Sequence, residues 1–282
     1  MKRKTRRILF YVAVVVFVGL TYVAVIYAQG YKYSFEDGKF TLTGAIYVKA
    51  NTDAKVYFND ELVGTTSFLG NSFSKGGLLP GQYLVMVTRE GYTSWEKVIS
   101  VQEGFLSEFS KIMLLPDRLG SDGEEARLAI VREIEELLYP PPSSPSPSPS
   151  PSLSKRPVPT PRPSPSPSAT PIAEPFYIKN NKLFRNTPEP DVIADNVVGF
   201  ALSPNENKLA WWNVNNEIWV VWLNDTNYQP HHKRGDMEKV TRFATRIKKI
   251  GWFRDEDHIV VDSVGYKIVE IDTRGEVNII KI

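Results

Sequence analysis

The chain has 282 residues, a formal net charge of +2 and no cysteine. Near-neutrality argues against a nucleic-acid partner, whose footprint would be a strongly basic domain. The lack of cysteine excludes disulfides, thiolate metal sites, iron–sulfur clusters and a cysteine nucleophile.

The amino terminus, "MKRKTRR", carries five basic residues among seven. Ile8 to Ala28 follows without a charged residue. At 1.5 Å per residue this run makes about 31 Å of helix, enough to cross a hydrocarbon layer of ~30 Å. Lys2, Arg3, Lys4, Arg6 and Arg7 favour the cytoplasmic side, which puts the rest of the chain outside the cell. A cleaved signal peptide ending at Ala28 is the competing reading, but the apolar run is long for a signal core and Ile26 is not small. Residues 1–28 are therefore read as a basic tail and membrane anchor with the bilayer as partner, and 29–43 as a juxtamembrane segment.

From Gly44 the pattern becomes short alternating runs: "AIYVKA", "AKVYFND", "ELVGTTS", "QYLVMVTRE" and "SWEKVISV". Period-2 alternation between turn residues predicts strands, and Asn59-Asp60, Pro80-Gly81 and Gly91-Tyr92 mark the turns. Gly81 after Pro80 suits a type II turn. An all-β sandwich over 44–116 is expected. "AKVYFNDELVGTT" and "LLPGQYLVMVTREGYTSWEKVISV" resemble the PEGA domain, a small β-sandwich of bacterial and archaeal envelope proteins. The likeness runs through Ala54, Val56, Tyr57, Asn59, Gly64, Pro80, Gly81, Tyr83, Gly91, Tyr92 and Trp95. The eponymous Pro-x-Gly-Ala is replaced by Asn51-Thr52-Asp53-Ala54. The resemblance implies no catalytic residues. Tyr92 and Trp95 either close the sandwich or form an aromatic platform for sugars.

"DGEEARLAIVREIEELL", Asp122 to Leu138, reads as an amphipathic helix within 117–139. Leu128, Val131, Ile134 and Leu138 form its apolar stripe. The stripe would face the sandwich or another copy of the chain. Residues 140–171 hold 14 prolines and 10 serines. Such a segment favours extended polyproline II over a packed core and is expected to be a disordered linker. At ~3.1 Å per residue it could span on the order of 100 Å, which suggests a stalk.

Within 172–282, "ALSPNENKLAWWNVNNEIWVVWL" and "GWFRDEDHIVVDSVGYKIVEID" superpose at an offset of 50 residues: Leu202 on Trp252, Leu209 on Ile259, Ile218 on Ile268. "FYIKNNKLFRN" repeats the last two strands, and "VNIIKI" looks like the opening strand of a further repeat. Ser203 to Trp211 resembles the S-P-D-G-x-x-L-A-x signature of TolB-like or tryptophan–aspartate-type (WD40-like) β-propeller blades, with Asn205-Glu206 at the Asp-Gly position. About 107 residues cannot make the four blades that closure requires. The expectation is a partial, propeller-like set of two four-stranded sheets, with the early fragment and the terminal strand completing blades.

Chemistry is sparse. His231-His232 lies in a polar loop and His258 before a strand, with no third ligand for a metal. Asp255-Glu256-Asp257 reads as a solvated turn. Lys233, Arg234, Arg242 and Arg246 lie in a basic stretch that could meet an anionic polymer, or simply join two blades. Trp211 and Trp212 are adjacent in a strand and must face opposite sides, so either one meets a partner or the sheet has two cores. The reading is a mainly β chain with one transmembrane helix, no enzyme activity and no cofactor or metal. It would be a bacterial envelope protein displaying its repeats to cell-wall glycan or an envelope protein. A homo-oligomer, an oligomeric propeller-type enzyme and a pure envelope spacer are the alternatives.

Overall fold

The structure, a computed structural model, describes residues 3–35, 38–117, 123–141 and 175–282. The Pro/Ser linker therefore lies almost wholly outside the described residues. The chain begins with α1 (Arg3–Ala28), which has no buried residue and is long and apolar enough to cross a membrane. Directly after it, β1 (Tyr31–Ser34) and β2 (Lys39–Leu42) form an antiparallel hairpin. Sequence reading assigned no element here, although the tyrosine alternation and Asp37-Gly38 are a hairpin signal.

The next seven strands make two sheets around one core. They are β3 (Gly44–Ala50), β4 (Lys55–Phe58), β5 (Glu61–Thr65), β6 (Ser72–Leu78), β7 (Gly81–Thr88), β8 (Trp95–Val101) and β9 (Leu106–Ile112). One sheet has the order β6-β3-β9, with β3 and β9 parallel; the other has the order β5-β4-β7-β8. Ile46, Val48, Val56, Val85, Val87 and Phe109 fill the space between them. Each such side chain contributes on the order of 1.5–3 kcal/mol through burial. β6 and β9 escaped the periodicity reading because they are sheet edges rich in Ser, Gly, Lys and Glu, as exposed edges tend to be. The expected type II turn is not formed. Gly81 has φ 155°, far from the roughly +80° of that turn, and it opens β7 opposite Val101.

The carboxy-terminal region contains three antiparallel meanders. The first is β10 (Phe176–Lys179), β11 (Lys182–Arg185) and β12 (Asp191–Ala194). The second is β13 (Val197–Leu202), β14 (Lys208–Asn213), β15 (Glu217–Trp222) and β16 (Met237–Arg242). The third is β17 (Lys249–Trp252), β18 (His258–Ser263), β19 (Gly265–Glu270) and β20 (Ile279–Lys281). Phe176, Leu183 and Trp211 join the first meander to the second, and Trp212, Trp222, Trp252 and Ile259 join the second to the third. The described sheets do not close into a barrel or propeller. Two details differ from the repeat reading. The early fragment heads a three-stranded sheet of its own instead of completing a four-stranded one, whereas the terminal strand β20 does complete the third meander as its fourth strand. The offset of 50 holds for β14 and β18, but Ala210↔Val220 corresponds to Val260↔Ile268, so the third strands are 48 apart. The second hairpin is two residues shorter, and an even slip leaves every side chain on its original face.

α2 (Gly123–Leu138) covers the outer face of the third meander, with Ile130, Ile134 and Leu138 meeting Phe253, Val260 and Ile268. The buried stripe is thus rotated from the one read in sequence: Leu128 is 52% exposed. Gly251 permits the approach, since a Cβ there would lie 2.3 Å from Leu137 and 3.0 Å from Leu138. Met113 and Leu115, following β9, enter the same cluster and join helix, repeats and sandwich. Ile134→Ala should destabilise the detergent-solubilised chain by about 2–5 kcal/mol in chemical denaturation. Leu128→Ala should stay within about 0.5 kcal/mol; equal losses would contradict this packing.

Candidate functional site

The sandwich is not held away from the repeats. Its strands β8 and β9 are the free edges of two different sheets, and loops of the third meander and of the β15–β16 connection seal both. The Gln229 side chain accepts from the Glu108 amide at 3.0 Å and donates to the Leu106 carbonyl at 2.8 Å. Asn278 does the same for the amide and carbonyl of Glu96, at 3.4 and 3.1 Å. Arg274 donates to the Glu108 carbonyl at 2.6 Å and lies 4.1 Å over the Phe109 ring. Gly275, at φ +69°, fits against the backbone of Val98, where a Cβ would come within 2.8 Å of the carbonyl oxygen. Amide side chains thus satisfy edge groups that would otherwise be open to another strand.

A charge pair crosses this seam. Alternation in β8 turns Trp95, Lys97, Ile99 and Val101 inward, so one position of an apolar face is a lysine. Its side chain is fully buried and lies 3.4 Å from Glu270 of β19. Lys97 Nζ also donates to the Asp272 carbonyl at 2.5 Å, and Trp95 Nε1 donates to Glu270 Oε2 at 3.0 Å. Burial raises the Glu270 pKa despite the neighbouring ammonium.

Beside it lies a second network. Lys208 Nζ donates to Asp257 at 2.7 Å, to the Glu256 carbonyl at 2.8 Å and to Tyr228 at 2.8 Å. Tyr228 donates to Asp257 at 2.9 Å, and burial followed by this carboxylate raises its pKa. Lys111 of β9 reaches the other Asp257 oxygen at 3.5 Å. The acidic turn is therefore not solvated: each carboxylate has an assigned partner. Asp255 faces the His258 ring at 2.9 Å, and Glu256 accepts from Ser203 Oγ at 2.7 Å and Asn207 at 3.0 Å. Although burial opposes it, hydrogen bonding and charge lower the pKa of Asp255, through His258, and of Glu256, through Asn207 and Ser203.

A cavity of about 20 Å³ lies between these networks, lined by Phe109, Lys208, Trp222, Tyr228, His232 and Asp257. This is room for about one water. The buried His232 ring stacks on Trp222 at 3.5 Å, and its Nε2 has no hydrogen-bond partner among the described residues. Burial lowers its pKa. On the outer side of the seam a groove of about 590 Å³ opens, with Gln82, Val98, Gln102, Phe105 and Leu106 on its walls.

The residues singled out in sequence do not converge. Trp211 and Trp212 are both buried, in different clusters, which removes them as a partner surface and establishes the two-sided core. Trp95 is buried in the seam, and Tyr92 packs at the edge of the sandwich core beneath Arg89. Lys233 and Arg234 are exposed at one end of β16 and are drawn to Asp225. Arg242 and Arg246 are exposed near the other end, roughly 20 Å of strand away. They do not form one patch. Sequence reading missed Lys97, Glu270, Gln229 and Asn278; only Lys97 announced itself, as a charge on the inward face of "WEKVISV". No family model matches the chain, and no curated protein matches it.

Lys97→Met leaves a buried carboxylate without its cation and should cost about 3–5 kcal/mol near neutral pH. The double variant Lys97→Met/Glu270→Met should recover most of that loss in urea denaturation. For pH, the signs oppose one another. Glu270, with its raised pKa, contributes stability that is complete below the unfolded carboxylate value and fades as pH rises through the folded one. Asp255 and Glu256, with lowered values, contribute above the unfolded value and lose it as pH falls. The stability of the wild type relative to Glu270→Gln should therefore decline with rising pH; an increase would contradict the raised value. Finally, proteolysis at a site engineered into residues 142–174 should leave the two halves co-eluting, and Gly275→Val should let them separate.

Proposed function

We propose that this chain is a membrane-anchored, extracytoplasmic binding or scaffold protein of the bacterial cell envelope, without enzymatic activity. Its sandwich is of the PEGA type and its repeats are of the TolB-like propeller type. The positive charge at Lys2, Arg3, Lys4, Arg6 and Arg7, ahead of an apolar spanning helix, supports an inside amino terminus.

The observation that carries this reading is the seam. Its charged groups are held by fixed partners around a cavity of only about 20 Å³, an arrangement suited to joining two domains rather than to turning over a substrate. The sandwich and the repeats then act together as one binding unit, while the stalk expected of the Pro/Ser segment lies outside the described residues. The groove beside the seam is the favoured contact surface. Phe105 and Leu106 are 65% and 45% exposed there and stand beside the amides of Gln82 and Gln102. Apolar faces with neighbouring amides suit a glycan or an extended peptide.

The chain should stay in the membrane after carbonate washing, and protease added outside intact cells should cut within Pro140–Pro171. Release by carbonate would sink the anchored reading. A photo-crosslinking residue at Phe105 should capture wall polymer or an envelope protein, while one at Val264, exposed elsewhere, should not. Hydrolysis of a substrate by the purified chain would overturn the non-enzymatic reading.

A further inference from the structure

We propose that the β1–β2 hairpin is an interfacial membrane-binding element that lies on the lipid at the outer end of α1. The inference rests on α1 being a membrane anchor. The hairpin is a two-stranded sheet of its own, and such a sheet is marginal in water without a surface for its apolar face.

Its two faces differ. Lys32, Ser34, Lys39 and Thr41 share one side by register; Ser34 and Thr41 are buried. Lys32 Nζ would lie 3.0 Å from a Cβ at Gly77 of β6, so this side is turned toward the sandwich. The other side carries Tyr31, Tyr33, Phe40 and Leu42; half-buried Leu42 lies against Gly104 of the β8–β9 loop, so the turn end of this face is its open part. Tyr33 and Phe40 remain exposed, and Phe35 beyond them is 92% exposed.

These rings continue the helix. Tyr27, in the last turn of α1, meets Phe40 edge-on at 6.2 Å; Phe40 meets Tyr33 at 5.4 Å, and Tyr33 meets Phe35 at 5.2 Å. The junction is fixed, because Thr43 bonds the Gly30 carbonyl through both its amide and its hydroxyl, at 2.9 and 2.6 Å. The exposed aromatic surface is thus contiguous with a surface that lipid already covers. Tyr and Phe placed at the end of a spanning helix favour the boundary between headgroups and acyl chains. A bilayer, rather than a protein partner, is the occupant this continuity selects.

The absence of cysteine permits a direct test. Full-length Phe35→Cys, Val16→Cys and Leu69→Cys variants carry a polarity-sensitive fluorophore in phosphatidylcholine/phosphatidylglycerol vesicles. Leu69 is 95% exposed at the other end of β3 from the hairpin and serves as the aqueous reference. Label at position 35 should shift to the blue and lose emission to lipids spin-labelled near the headgroup. Label at 16 should respond to deep spin labels, and label at 69 to neither. A water-like signal at 35 with a lipid signal at 16 overturns the proposal and leaves the anchor intact. Water-like signals at both overturn the anchor as well. An equal response at 69 also overturns it, as adsorption of any exposed apolar side chain.

Discussion

The arrangement of the head depends on one buried cation. Once alternation in β8 turns Lys97 into the space between Trp95 and Ile99, the ammonium must have an anion and carbonyl groups around it. The sandwich alone does not provide them. They come from Glu270 and Asp272, some 175 residues along the chain. The indole of Trp95 binds the same carboxylate, so the requirement fixes orientation as well as proximity. The edge amides of β8 and β9 then fall opposite Asn278 and Gln229, and the sheet edges are sealed by the same docking that neutralises the charge. Loop closure costs only about 0.6 kcal/mol for each doubling of length, so a long insertion between docked parts is thermodynamically cheap.

The repeats obey a related constraint. A meander with two apolar faces must be covered on both sides, and stacking achieves this only for interior members. The second meander is interior, which is why the adjacent Trp211 and Trp212 are both buried. The third is covered by a helix instead of a fourth sheet, and Gly251 is the residue that lets α2 settle there. Between the second and third, a polar clamp repeats the logic of the seam: Lys208 opens one strand and Asp257 precedes the equivalent one, almost one repeat period away.

Much of this was legible in the sequence. Alternation located the central strands, the offset of 50 located the paired meanders, and the uncharged run after Arg7 located α1. What failed did so for physical reasons. Strands β6 and β9 show little apolar alternation because Ser, Gly, Lys and Glu stand between their few buried apolar side chains. The acidic turn at Asp255–Asp257 was read as solvated because isolated carboxylates usually are, while its partners lie about fifty residues earlier. The seam was invisible because an asparagine or glutamine that caps a strand edge has no local signature. The inward lysine of "WEKVISV" did have one: a strand that buries Trp, Ile and Val on a single face must find an anion for the lysine among them.

With α1 in a bilayer, as proposed, the chain would pass from lipid to water in graded steps. From Ile8 onward α1 carries no charged residue on any side, and it buries nothing within the protein. The hairpin divides this character between its faces, with aromatic rings outward and Ser34, Thr41 and Lys32 toward the sandwich. The sandwich then confines its apolar side chains to the space between two sheets. Each element exposes what its surroundings can solvate, and the tight bonds of Thr43 to Gly30 transmit the helix direction to the first of these steps.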